Sequence, residues 1–177
     1  MPMPRSPLTA WLCALVLVLP LRLAAAPLAE GALMPPLALN DQHDKPVAIG
    51  PATRWIVFAS DKAASDMVNA VLSAEPAGTL ERLQLVTIAD ISAMPAMVTR
   101  MFALPKLREL PYPIALARES DQVAQVADLP RQPGRATLLR LEDGRVARIS
   151  AAASAAELRA ALGLTGATPQ APAASKP

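Results

Sequence analysis

Thiols are almost missing from this chain. Its single cysteine, Cys13, lies inside an apolar run near the amino terminus. One thiol cannot close an internal disulfide, and no second thiol exists to resolve a mixed one. Histidine is also single, at His43. A structural zinc site takes four cysteine or histidine ligands, and the chain has too few. Aromatic residues make up only 3% of the sequence, which disfavours base-stacking surfaces for nucleic acid. The glycines are scattered rather than gathered into a phosphate-binding loop. No serine sits in a nucleophile elbow.

Residues 8–21 (LTAWLCALVLVLPL) are almost wholly apolar. Arg5 precedes them and the small residues Ala24 to Ala26 follow. This is the pattern of a secretory signal peptide, expected over residues 1–26. A spanning helix needs roughly 20 apolar residues; this run is shorter, and Pro20 and Arg22 interrupt its end. An uncleaved membrane anchor is the alternative. The cleavage point stays open, because Pro27 is a poor residue after the small-residue run. Cys13 follows Trp11 and Leu12 in mid-run, the wrong place for a lipid anchor.

The whole chain carries 17 basic and 15 acidic residues, a net charge of +2. Arg5 and Arg22 fall in the signal, so the exported part is balanced at 15 of each. That removes the electrostatic argument for nucleic acid or anionic lipid. An export signal followed by a cysteine-free chain fits an oxidising compartment, and the expected location is the bacterial periplasm. No stable membrane insertion is expected after signal removal. Oligomeric state is not legible.

Residues 33–39 (LMPPLAL) and 46–49 (PVAI) flank the polar turn 40–45, which predicts a short hairpin. Residues 54–59 (RWIVFA) form a continuous apolar run, as in a strand buried on both faces. Ser60 or Asp61 can cap the following helix, which gathers Ala64, Met67, Val68, Val71 and Leu72 on one face. Pro76 and Gly78 end that region. A second buried strand covers 83–89, and Ser92 can cap a short helix through Phe102. Pro105 and Pro111 bound a linker. A third strand covers 112–117, and a brief helix lies within 119–128. Residues 136–141 and 145–149 flank Asp143-Gly144, a strong hairpin signature. Ser154 and Glu157 predict a capping box, opening a last helix that Gly163 ends. Residues 163–177 are Pro/Ala-rich and expected to be disordered. Parallel buried strands joined by helices, closing with an antiparallel hairpin, predict an α/β sandwich.

Three passages carry a family resemblance: "PPLALNDQHDKPVAI", "RWIVFASDKAASDMV", and "GRATLLRLEDGRVARIS" followed by "AAELRAAL". In their order and spacing the chain resembles the thioredoxin-like superfamily, in its peroxiredoxin and periplasmic thiol–disulfide oxidoreductase branch. The resemblance spans about residues 33–162. It implies a thioredoxin-like α/β sandwich with an N-terminal hairpin and a terminal antiparallel hairpin plus helix. The oxidoreductases carry CxxC in the loop after the first strand; the matching positions are Lys62 and Ser65, and neither performs thiol exchange. A peroxiredoxin needs one cysteine near the start of the same helix, and none is there. Arg135, with Thr137 two residues on, falls where the resemblance puts a peroxiredoxin's arginine; an ordinary strand-end arginine is the alternative. The oxidoreductases hold a cis-proline at that place, whereas Pro133 lies two residues early.

The chain therefore reads as a degenerate, cysteine-free member. The expected function is a non-catalytic module that binds a protein or peptide partner in the periplasm. The expected contact surface is the former active-site loop, with Ser60, Asp61, Lys62 and Ser65, and a facing loop with Pro111, Tyr112 and Pro113. Arg135 stands beside it. No catalytic residue and no cofactor is assigned, and thiol oxidoreductase or peroxidase activity is not expected. The alternative is a non-thiol enzyme, or an accessory protein for a metal or small ligand. Met94, Met97 and Met101, at i, i+3 and i+7, are weak candidates for Cu(I) through their thioethers, against ordinary packing. His43, between Asp41 and Asp44, reads as a surface turn rather than a metal site. Lys62 near Ser60 and Ser65 reads as a solvated first-turn lysine rather than a Ser–Lys pair.

Overall fold

A computed structural model describes residues 27–164. The expected signal, with Cys13, lies outside the described residues, as does the tail from residue 165 onward. The first unit is β1 (Trp55–Ala59), α1 (Lys62–Ser73), α2 (Thr79–Arg82) and β2 (Leu85–Asp90). Then α3 (Ala96–Val98), a π-helical segment (Thr99–Ala103) and α4 (Leu104–Arg108) follow one another without a break, and a turn over 109–113 leads to β3 (Ile114–Ala117). α5 (Ser120–Gln125), β4 (Ala136–Glu142), β5 (Arg145–Ala152) and α6 (Ala155–Leu162) complete the described fold.

The five strands form one sheet in the order β3-β2-β1-β4-β5. β1 and β2 are parallel, as are β2 and β3, while β4 runs antiparallel to β1 and β5 antiparallel to β4. One consequence governs the site. Residues that follow β1 and β2 share an end of the sheet with residues that precede β4. The loop that precedes β3 lies at the opposite end.

Each face of the sheet buries its own apolar layer. Val57, Leu116 and Leu138 pack with Val68 and Leu72 of α1 and Leu158 of α6. Ile56, Phe58, Ile88 and Leu139 pack on the other face with Leu37, Leu39, Val126 and Leu129. The alternation of Ile56, Val57 and Phe58 between the layers is the period of two that a strand imposes. Each such Val, Leu or Ile removed from water contributes roughly 1.5–3 kcal/mol, so β1 and α1 are anchored by their own composition.

The helix after β2 departs from the sequence expectation. It runs through Pro105 to Arg108 rather than ending at Phe102. In a regular α-helix the proline ring would crowd the carbonyl four residues back. Here a wider turn precedes it, and the Leu104 N–H donates to Thr99 O. Ser92 does not cap this helix. Its N–H and hydroxyl both donate to Asp90 Oδ1, at 3.0 and 2.7 Å, and Pro95 takes the cap position.

The N-terminal hairpin is short. Asp41 N–H donates to Lys45 O at 2.8 Å and Val47 N–H to Leu39 O at 2.9 Å, but only isolated bridges form. The segment instead works as a strap from one sheet edge to the other. At β5, Gly31 N–H donates to Val146 O and Met34 N–H to Gly144 O. At β3, Leu116 N–H donates to Asn40 O at 2.8 Å. The buried Gln42 amide then stands in for a peptide group: its Nε2 donates to Tyr112 O at 2.8 Å and its Oε1 accepts from Ile114 N–H at 2.9 Å.

Candidate functional site

Open α/β sheets bind ligands outside the carboxyl ends of their parallel strands. Ser60 and Asp61 follow β1 at that end, Asp90 closes β2, and the 130–135 loop leads into β4. Asp61 caps α1: Oδ1 accepts from Ala64 N–H at 2.9 Å, and Oδ2 accepts from Gly134 N–H at 2.7 Å. These backbone donors, Ala64 foremost, hold the Asp61 carboxyl below its usual range. Burial pushes Asp90 up, but hydrogen bonds from Ser92 and Arg131 outweigh it and hold Asp90 low as well. The Arg131 Nη1–Asp90 Oδ2 distance is 2.6 Å, and the same guanidinium lies 5.2 Å from the Phe58 ring centroid. Both carboxylates are thus ionised and engaged at neutral pH, and neither is set to exchange a proton there.

A groove of about 660 Å³ opens between α1 and the 96–108 helix. Ala64, Val68, Val71 and Leu72 turn one stripe of α1 to the core. That leaves Ser65, Asn69 and Ser73, spaced by four, as a polar stripe along the groove. Across from it stand Met94, Val98, Phe102 and Leu107, with Ala89 of β2 and Ile91 just after it between the walls. The small side chains of Ala70, Ala89 and Ala103 keep it open. The helix that supplies the facing wall carries a bare apolar shoulder: Met97 is 73% exposed, Val98 41%, Met101 60% and Phe102 66%. Two pairs of side chains brace the polar wall. Lys62 pairs with Asp66 one turn on. The buried Tyr112 hydroxyl donates to Asn69 Oδ1 at 3.0 Å, and burial pushes its phenol up to about 12.

The structure brings Lys62, Ser65, Met94 and Pro111 to one groove. It does not bring loop 111–113 to face residues 60–66. Because β3 is parallel to β1, that loop lies at the far end of the sheet, where Pro111 borders the distal groove and Tyr112 is buried. Pro113 borders a different, shallow pocket with Thr53 and Leu80. Ser60 is half-buried between β1 and α1. Arg135 is exposed beside Gly134, its N–H donating to Gln132 O. The described peptide bonds, that of Pro133 included, are all trans. Met94, Met97 and Met101 do not share one helical face. Met94 precedes the helix, while Met97 and Met101 lie within it, one turn apart. His43 is exposed in its turn, its N–H donating to Asp41 Oδ1. Among the described residues no cluster of three or more His, Cys, Asp or Glu side chains is placed to hold a metal. Likewise, among them no helix is long and apolar enough to cross a membrane.

Sequence reasoning missed Asn69, Ser73, Val98, Phe102 and Leu107. The stripe of Ser65, Asn69 and Ser73 was a usable signal; the opposite wall depends on a helix that Pro105 disguises.

No family model matches the chain, and no curated protein matches it. Among solved structures it is similar to a candidate protein disulfide isomerase from Bacteroides thetaiotaomicron. That match has 12% identity over 77% of this chain and 87% of that one, with a TM-score of 0.51. It is also similar to a thio-disulfide isomerase from Thermus thermophilus, at 23% identity over 80% and 99% of the two chains and a TM-score of 0.47. A third is peroxiredoxin Q of Xanthomonas campestris, at 10% identity over 77% and 96%, with a TM-score of 0.48. The likeness rests on the first of these and is one of fold. The fold is thioredoxin-like, and no cysteine occurs among the described residues.

Proposed function

We propose that this chain is an exported, non-catalytic thioredoxin-like module of the bacterial periplasm, which binds an apolar segment of a protein partner in the groove beside α1. The observation that carries this reading is the groove itself. Its walls pair a hydrogen-bonding stripe with an apolar shoulder left bare to solvent, and contiguous exposed apolar patches of this kind mark contact surfaces. Lys62 and Ser65, where related enzymes hold their sulfurs, sit on that groove as wall residues. The carboxylates at the neighbouring sheet end are occupied by structural hydrogen bonds. Thiol turnover is therefore not expected.

A photo-crosslinking residue at Ser65 or Phe102 of the full chain, expressed in bacterial cells, tests this. One reproducible exported protein should be trapped from both positions. It should not be trapped from His43, and Ala70→Trp, which fills the groove, should abolish the adduct. The same capture from His43, or none from the groove, would sink the reading. The second reading is a small apolar ligand, favoured by a volume within the range of ligand cavities. Native mass spectrometry of the purified chain separates the two: a bound small molecule lost in Ala70→Trp would select it.

A further inference from the structure

We propose that Met97 and Met101 form a peroxide-sensitive site whose oxidation switches off the apolar shoulder of the groove. The site itself stands on exposure and position; the switching half rests on the docking reading above. Five methionines lie among the described residues. Met34, Met67 and Met94 are half-buried, whereas Met97 and Met101 are exposed. No thiol among the described residues competes for an oxidant. A peroxide transfers one oxygen to a thioether: the sulfur lone pair forms the S–O bond as the O–O bond breaks. Sulfur is oxidised to the sulfoxide, and the peroxide is reduced and leaves as water, or as an alcohol from an alkyl hydroperoxide. Methionine sulfoxide reductases reverse the step.

The two sulfurs are well placed for a consequence. Their chain neighbours Val98 and Phe102 line the groove, and all four side chains are exposed on the same stretch of helix. A sulfoxide replaces a soft apolar group by a strongly polar one. Two such changes on one helix shoulder put polar groups where an apolar segment would otherwise be desolvated. Met94, half-buried inside the same groove, serves as the internal comparison.

Peptide mapping of the full chain after brief treatment with dilute hydrogen peroxide tests the site. Met97 and Met101 should gain oxygen several-fold faster than Met34, Met67 and Met94. Equal rates, or Met94 reacting first, would overturn the assignment. The apolar dye anilinonaphthalene sulfonate then tests the switch. Its fluorescence should fall several-fold on oxidation of the unaltered protein, and should survive the same treatment in the Met97→Leu/Met101→Leu double variant. An equal fall in the double variant would overturn the switch. A dye that never binds the untreated protein would sink the docking reading and the switch with it, while the peptide map still decides the site.

Discussion

Asp61 joins two segments 73 residues apart through one carboxylate, capping α1 and holding the loop before β4. Its folded pKa lies below the unfolded value of about 3.9. The stabilisation is therefore complete above that value and is lost as pH falls through the lower folded pKa. Asp61→Ala should cost about 1 kcal/mol at neutral pH. The gap to the unaltered protein should narrow as the pH drops below about 4, as urea unfolding at several pH values will read. A gap independent of pH would show that the charge is not what matters. Thr87 is the opposite case. It is buried under the α1 face, two residues before Ala89 on the same side of β2, and its hydroxyl has no hydrogen-bond partner. An unmade hydrogen bond of this kind costs about 1–3 kcal/mol. Thr87→Val keeps the shape, removes the debt and should raise stability by about 1 kcal/mol. A lowered denaturation midpoint would refute it.

Among the elements, the β4–β5 hairpin is the most legible. Asp143 and Gly144 have φ of 49° and 74°, the left-handed pair that such a turn requires. Gly144→Ala should cost about 1–2 kcal/mol. Gly50 has no positive φ and nothing crowding a Cβ, so Gly50→Ala should be neutral or stabilise by about 0.4–1 kcal/mol. Equal midpoints for the two variants would remove the backbone argument. The α6 start is legible for the same reason: Ser154 Oγ accepts from Glu157 N–H, and Glu157 reaches back to Ala153 N–H. These signals are local, and local chemistry decides them. The 96–108 helix was misread because a proline rule is also local. Pro105 forbids an α turn of ordinary width, but it does not forbid a wider one that the sheet rewards by burying Leu104.

At the scale of the whole molecule, sequence pattern placed Lys62 and Ser65 at the start of α1 but misplaced their neighbours. Parallel strands joined by helices are legible in the sequence, but parallel direction also puts the 111–113 loop, which precedes β3, at the opposite end of the sheet from the residues that follow β1. The edge strap was equally hidden, since Gln42 works through its side chain. Gln42→Leu would strip partners from Tyr112 O and Ile114 N–H and should cost about 2 kcal/mol or more. Unchanged unfolding by urea would deny the amide that role. The strap bears on more than stability. An open row of backbone donors and acceptors at a sheet margin invites another chain to add itself as a strand. Here the margin of β3 and the start of β5 are already satisfied by the protein's own N-terminal segment. Main-chain zippering, the least selective form of recognition and the route into fibrils, is thereby blocked along those margins. On the docking reading, a visitor meets instead the helical wall of side chains beside α1, which discriminates by sequence rather than by extended shape.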